Sequence, residues 1–131
     1  MESEIKKLLI KNGQALFGSE LIENVIQFQP TRKDVEGDFT LVVFPFVKLL
    51  KCSPEEAGEK IGSFLISHIS EIDSYEVIKG FLNIKLTDSY WLNELKTAAS
   101  KKDFGFFELE SKPMVMVEYS SPNTNKPLHL G

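Results

Sequence analysis

The chain has 131 residues, 42% of them hydrophobic, which suits one domain with its own core and a short extension. A formal net charge of −4 argues against a protein held on nucleic acid by bulk positive charge, although a local basic patch stays open. The single cysteine, Cys52, excludes a disulfide framework and a metal site built from cysteines. We find no secretory leader and no apolar run of roughly 20 residues, and we therefore expect a soluble, cytoplasmic protein.

The first third of the chain predicts one helix followed by two strands. Apolar residues at three- and four-residue spacing predict a helix over residues 3–17, which Gly18 ends. Residues 25–29 alternate between apolar and polar side chains, and residues 39–44 are rich in β-branched and aromatic residues. These two segments predict a hairpin with a long, charged loop.

Two helices are predicted next. Pro45 ends the second strand, and the following residues predict a short helix. The stretch "SPEE" begins a longer helix, because Ser53 can cap the first amides and Glu56 can complete a capping box. His68 lies on the apolar stripe of that helix, and we interpret it as a hydrogen-bonded helical residue rather than a metal ligand.

A second pair of strands and a last helix complete the predicted domain. Residues 75–79 and 81–86 predict two strands joined tightly at Gly80, and Thr87 or Asp88 can cap the helix that follows. The apolar face of this helix is formed by Trp91, Leu92, Leu95 and Ala98. A linker then leads to a new strand that begins at residue 114.

The predicted order of elements is α-β-β-α-α-β-β-α. Because the strands arrive in pairs, this order favours an α+β fold with two layers, an antiparallel four-stranded sheet with helices on one face.

Strand 81–86 has two different sides. Every second side chain is aliphatic and is expected to face the helices, whereas Phe81, Asn83 and Lys85 are expected to face the other way. An aromatic ring, an amide and a cation in one row suit an unstacked RNA base and its phosphate. The alternative is an ordinary strand with one covered phenylalanine.

The last fifteen residues, "VEYSSPNTNKPLHLG", differ in kind from the rest. Ser121 and Asn123 would follow a strand at its carboxyl end, where open α/β sheets bind ligands, and Gly131 would permit close backbone approach to a phosphate. These residues alone are compatible with two interpretations, a truncated nucleotide-binding site and a flexible tail.

This last stretch resembles the start of the catalytic domain of the arginyl-tRNA synthetases, which are class I aminoacyl-tRNA synthetases. In that family an S-S-P-N segment leads into K-P-L-H-x-G-H, and His129, Leu130 and Gly131 match the first three positions of the class I signature. Upstream, "EGDFTLVVFPFVKLLKCSPEEAGEKI" and "KGFLNIKL" resemble the family's N-terminal additional domain.

The resemblance implies a division of the chain into residues 1–111, the additional domain, and residues 112–131, the truncated start of a Rossmann-like catalytic domain. The full-length enzyme would activate arginine with ATP, accompanied by Mg²⁺, and transfer it to its tRNA. We expect that enzyme to be a monomer without membrane contact, and this fragment to be inactive alone and to hold no cofactor.

The resemblance also implies roles for single residues. In the tail these are His129 as the catalytic residue and an ATP contact, Gly131 and Lys126 as further ATP contacts, and Glu118, Ser121 and Asn123 as the arginine pocket. The additional domain of the family contacts the D-loop at the outer corner of tRNA, where Phe81 and Asn83 match the base-reading residues and Lys85 is expected to meet phosphate. The alternative is a stand-alone α+β module that binds RNA or protein and carries a disordered tail.

Overall fold

The computed structural model describes residues 1–21, 23–106 and 114–117. The helices are α1 (Glu2–Lys11), α2 (Gly13–Phe17), α3 (Phe44–Leu50), α4 (Pro54–His68) and α5 (Asp88–Ser100), with a short 3-10 turn at Glu23–Val25. The strands are β1 (Phe28–Pro30), β2 (Phe39–Val42), β3 (Ile72–Ile78) and β4 (Phe81–Leu86). The chain divides into two compact units, Met1–Ser100 and Lys101–Gly131. Among the helices described, none combines the length and the apolar character that crossing a membrane requires.

The four strands form one antiparallel sheet in the order β1-β2-β4-β3. Both predicted hairpins are present, and β2 pairs with β4 to join them, with Leu41 opposite Leu82. Lys79 and Gly80 connect β3 to β4 with positive φ at both residues, as a tight hairpin turn requires. The α+β fold with an antiparallel four-stranded sheet is therefore confirmed.

The core lies between the sheet and the helices. Side chains from α1, α2, α3 and α4 pack with alternate residues of β2 and β4, including the fully buried Leu41 and Leu82. Helix α4 lies close to β3, since a Cβ atom at Gly58 would stand 2.5 Å from Val77 and one at Gly62 would stand 2.5 Å from the Tyr75 ring. One side of β4 is thus sealed from water by helices.

The start of α4 matches the predicted capping box. The Ser53 hydroxyl accepts from the Glu56 amide at 3.2 Å, and the Glu56 carboxylate accepts from the Ser53 amide at 3.1 Å. Two amides that the helix itself cannot satisfy are thereby bonded.

The helix predicted over residues 3–17 is interrupted in the structure. Helix α1 ends at Lys11, and the Leu8 carbonyl accepts from both the backbone amide of Asn12 at 3.1 Å and its side-chain amide at 2.9 Å. Helix α2 then begins at Gly13, whose missing Cβ would lie 3.1 Å from the Leu21 amide nitrogen. Gly18 ends α2 in the left-handed conformation, as predicted.

The apolar face predicted for α5 does not pack on the core. Trp91, Leu92 and Leu95 are 48%, 56% and 65% exposed, and α5 has no buried residue. The contact of α5 with the core is made instead by the half-buried Tyr90, one turn after the Thr87 hydroxyl that caps the helix at 3.3 Å. Helical periodicity predicted the stripe correctly but not what the stripe would touch.

The second unit is described only in part. Residues 101–106 form turns with Gly105 at positive φ, and residues 114–117 are exposed without strand structure. The strand predicted from residue 114 is therefore not formed by its first four residues, and its last two lie outside the described residues. The predicted domain boundary after residue 111 also lies outside them and stays a prediction.

Candidate functional site

The face of the sheet opposite α4 carries the residues predicted to contact RNA. The alternation along β4 places Phe81, Asn83 and Lys85 on this face, as predicted, and the pairing of β2 with β4 sets Thr40 directly opposite Asn83. Thr40 was not among the predicted site residues, although the alternation of "FTLV" places it on the polar side between two buried residues.

The loop of residues 31–38 lies over part of this face. The amide of Asp38 donates to the Ile84 carbonyl at 2.8 Å, and its carboxylate accepts from the Leu86 amide at 2.7 Å. Gly37 has a φ of 146°, and a Cβ atom there would stand 3.3 Å from the Ile84 carbonyl oxygen. Only glycine meets both conditions easily, so the loop is held close against β4.

Asn83 is buried rather than open to solvent, with 5% of its surface exposed. Its side-chain oxygen accepts from the Thr40 hydroxyl at 2.6 Å, and the Thr31 hydroxyl lies 3.0 Å from that of Thr40. Its side-chain nitrogen has only long contacts, 3.4 Å to the Glu76 carbonyl and 3.5 Å to the Phe81 carbonyl. The amide oxygen is therefore firmly bonded, and the amide hydrogens are weakly bonded.

Phe81 is half-buried and meets a second ring. Phe44, 48% exposed at the start of α3, packs edge-on against Phe81 with ring centres 5.5 Å apart and an interplanar angle of 85°. Gly80 makes room for this pair, because a Cβ atom there would lie 2.6 Å from the Phe44 ring. The pair forms an accessible aromatic surface of the kind on which bases stack.

Lys85 is not a free cation in the structure. Its ammonium group binds the Glu36 carboxylate of the overlying loop, and both side chains are exposed. The hydrogen bond and the charge of Lys85 lower the pKa of Glu36, and the same two effects of Glu36 raise the pKa of Lys85. In the same loop, Arg32 binds Asp34 through two hydrogen bonds of 2.7 and 3.0 Å.

Two hollows lie on either side of Asn83. The smaller, of about 80 Å³, is lined by Gln29, Arg32, Val35, Thr40, Ile78, Lys79, Phe81 and Asn83. The larger and more open, of about 360 Å³, is lined by Glu36, Ser74, Tyr75, Glu76, Asn83 and Lys85. Both include Asn83, so its carboxamide lies between the aromatic side and the charged side of the face.

The other residues considered in the sequence lie elsewhere. Those predicted to bind ATP or arginine, Glu118, Ser121, Asn123, Lys126, His129 and Gly131, lie outside the described residues. His68 stacks on Phe64 with ring centres 4.2 Å apart, and its Nδ1 is 2.8 Å from the Phe64 carbonyl, which confirms a hydrogen-bonded helical histidine. Within residues 1–21, 23–106 and 114–117, no group of three His, Cys, Asp or Glu side chains could hold a metal ion.

Several curated relatives of the chain are arginine–tRNA ligases. The arginine–tRNA ligase of Bacteroides thetaiotaomicron is 42% identical over 132 residues, which cover 100% of this chain and 22% of that protein. The arginine–tRNA ligase of Porphyromonas gingivalis is 47% identical over 119 residues, which cover 90% of this chain and 20% of that protein. No family model matches the chain.

A solved structure shares the fold. The arginyl-tRNA synthetase of Thermus thermophilus superposes with a TM-score of 0.57 at 17% sequence identity, over 72% of this chain and 15% of that one. The chain thus spans 22% or less of the length of these relatives. Along its whole length, the chain is therefore similar to a segment of the arginyl-tRNA synthetases.

Proposed function

We propose that this chain is part of an arginine–tRNA ligase, which activates arginine with ATP and transfers it to its tRNA in the cytoplasm. The observation that carries this proposal is the 42% identity to an arginine–tRNA ligase along the entire chain. The relatives are more than four times as long as the segment matched, so the 131 residues alone are not the catalyst. Within the ligase, the contribution of these 131 residues is recognition of the D-loop at the outer corner of the tRNA.

Within the full ligase, the tail would supply the first part of the active site. The proposed ATP contacts are His129, Gly131 and Lys126, with His129 as the catalytic residue, and the proposed arginine pocket includes Glu118, Ser121 and Asn123. A carboxylate in that pocket suits the planar fork of donors that a guanidinium presents. The described residues contain no cluster that would hold a metal ion, so none of them is assigned to the Mg²⁺ that accompanies ATP.

The proposed RNA contacts on the sheet are Phe81, Asn83 and Lys85. Support comes from the half-buried ring of Phe81 beside Phe44, which leaves a stacking surface, and from the amide hydrogens of Asn83, which have only long contacts. Lys85 would exchange Glu36 for a phosphate. An exposed ion pair contributes little to stability, so this exchange costs little.

Titration of an unmodified arginine tRNA transcript with the full ligase and its variants tests this proposal. Phe81→Ala should weaken binding by about 1–3 kcal/mol, the usual contribution of one stacked base. Trp91→Ala is the matched control, because it removes an exposed aromatic ring from α5 and should leave the affinity unchanged. The rate of arginine transfer to the tRNA should also fall in Phe81→Ala and should be unchanged in Trp91→Ala.

The outcomes separate the two parts of the proposal. If both Phe81→Ala and Asn83→Ala bind the arginine tRNA like the wild type, the contact with the D-loop is wrong. If they weaken all tRNAs equally, the face binds RNA without selecting arginine tRNA.

A protein-interaction module is the second candidate, favoured by the exposed stripe of Trp91, Leu92 and Leu95 on α5. Sequencing the gene past codon 131 distinguishes this module from the ligase. A histidine codon followed by a helical segment supports the ligase, and a stop codon supports the module.

A further inference from the structure

We propose that Thr40 and Thr31 determine which edge of a base this face accepts, by holding the Asn83 carboxamide in one orientation. The inference rests on the proposed tRNA contact and goes beyond it, because it assigns positioning residues and a type of base edge. The three side chains form one chain of hydrogen bonds across β2 and β4, from Thr31 through Thr40 to Asn83.

The direction of this hydrogen-bond chain follows from the number of hydrogens available. Thr40 has one hydroxyl hydrogen, and it donates this to the Asn83 side-chain oxygen at 2.6 Å. In its 3.0 Å contact with Thr31, the Thr40 oxygen can therefore only accept, so Thr31 is the donor. Consecutive bonds in one direction polarise and strengthen each other.

The reverse orientation of the amide is excluded by its other neighbours. Turning the carboxamide over would place its oxygen 3.4 Å from the Glu76 carbonyl and 3.5 Å from the Phe81 carbonyl. Both are acceptors, and three oxygens would then face one another without a hydrogen. The NH2 group must therefore lie on the β3 side and the oxygen on the β2 side.

Burial makes this orientation costly to leave. Thr40 is 1% exposed and Asn83 is 5% exposed, so rotating the amide would break a bond that water is poorly placed to replace. The amide is consequently oriented before RNA arrives, and binding does not have to order it.

The fixed orientation of the Asn83 amide limits which atoms of a base it can bond. An asparagine that reads adenine in the bidentate manner uses both its oxygen and its NH2 group. Here the oxygen accepts a short bond from the buried Thr40 hydroxyl, whereas the NH2 group retains only long contacts. The NH2 group is therefore the part of Asn83 best placed to bond a base, and the atom it meets is an acceptor, a ring nitrogen or a carbonyl oxygen.

The experiment measures the affinity of the full ligase for the unmodified arginine tRNA transcript. Thr40→Val keeps the shape of the side chain and removes the hydroxyl, and it should raise the Kd about threefold to tenfold, the effect of one hydrogen bond. Thr40→Ser retains the hydroxyl and should remain within about twofold of the wild type. In an Asn83→Ala background, Thr40→Val should have no further effect, which a general loss of structure would not reproduce.

Asn83→Asp tests the donor role directly, because an acceptor then replaces the NH2 group while the bond from Thr40 is kept. It should lose at least as much affinity as Asn83→Ala, and an affinity like that of the wild type overturns the inference. If Asn83→Ala weakens binding and Thr40→Val does not, the inference fails while the tRNA contact stands. If Asn83→Ala and Phe81→Ala both bind normally, the tRNA contact itself fails.

An NMR measurement on the wild-type chain needs no variant to fold. The side-chain amide hydrogens of Asn83 should show NOEs to protons of Glu76 and Phe81. NOEs to the Thr40 hydroxyl in their place would mean that the amide is turned over, and the inference would be wrong.

Discussion

The two faces of the sheet are built on different physical principles. The face toward α4 is dry and closely packed, with glycines at positions 58 and 62 of the helix against Val77 and Tyr75. The opposite face carries hydrogen-bonded and charged side chains, among them Asn83 and Lys85. A single strand, β4, contributes to both.

The contrast shows how one strand can separate stability from binding. Since alternate residues of β4 point to opposite faces, Leu82 and Asn83 are neighbours in sequence but belong to different environments. Changes on the helix side should alter the free energy of unfolding, and changes at an exposed residue of the other side, such as Lys85, should mainly alter RNA affinity.

The largest expected effect is the loss of Leu82 from the packed face. Leu82→Ala should lower the free energy of unfolding by about 2–5 kcal/mol, because a fully buried side chain is replaced by a cavity. Urea denaturation of the 131-residue chain measures the change. Lys85→Ala, three residues later on the same strand, is the control and should remain within about 0.5 kcal/mol of the wild type. Equal losses in the two variants would contradict the separation of the faces.

A smaller effect is expected where α4 touches β3. Gly58→Ala should lower the free energy of unfolding by about 1 kcal/mol, because its Cβ would lie 2.5 Å from one Val77 methyl carbon and 2.8 Å from the other. The better helix propensity of alanine offsets only part of this. Lys60→Ala, on the exposed side of α4, is the matched control.

The clash itself is tested by removing its other partner. In Gly58→Ala with Val77→Ala, the total loss should be smaller than the sum of the two single losses. Strictly additive losses would show that Gly58 is not needed for the close approach of α4 to β3.

Local sequence signals predicted much of this arrangement. The alternation in "FLNIKL" assigned Phe81, Asn83 and Lys85 to one face, and the capping box at Ser53 marked the start of α4. Both signals depend on residues a few positions apart, which is the range over which secondary structure imposes a pattern.

The remaining features depend on contacts that are distant in sequence. The pairing of Thr40 with Asn83 spans 43 positions, and the bond between Glu36 and Lys85 spans 49. The loop of residues 31–38 has no periodicity that would reveal its place over the sheet. For this reason the sequence predicted an open amide and a free lysine, whereas both have partners.

The smallest expected effect concerns the ion pair of Lys85 and Glu36 on the open face. The lowered pKa of Glu36 means that its contribution to stability is present above its ordinary value of 4.5 and is lost as the pH falls through the folded-state pKa. The raised pKa of Lys85 means that its contribution is lost as the pH rises above 10.5 and through the raised value. Glu36→Gln should thus have a slightly lower free energy of unfolding than the wild type at pH 7, and this difference should vanish at a pH below the folded-state pKa of Glu36.

The same substitution should have the opposite effect on RNA. Without the carboxylate, Lys85 no longer has to leave a partner to meet a phosphate, so Glu36→Gln should bind the arginine tRNA transcript more tightly than the wild type, with a steeper dependence on salt. Glu94→Gln removes the same charge from α5 and controls for net charge. If both variants gain equally, the effect comes from overall charge, and Lys85 has no particular role at the phosphate. If only Glu36→Gln gains, the ion pair restrains RNA binding on this face while adding little to the stability that the packed face provides.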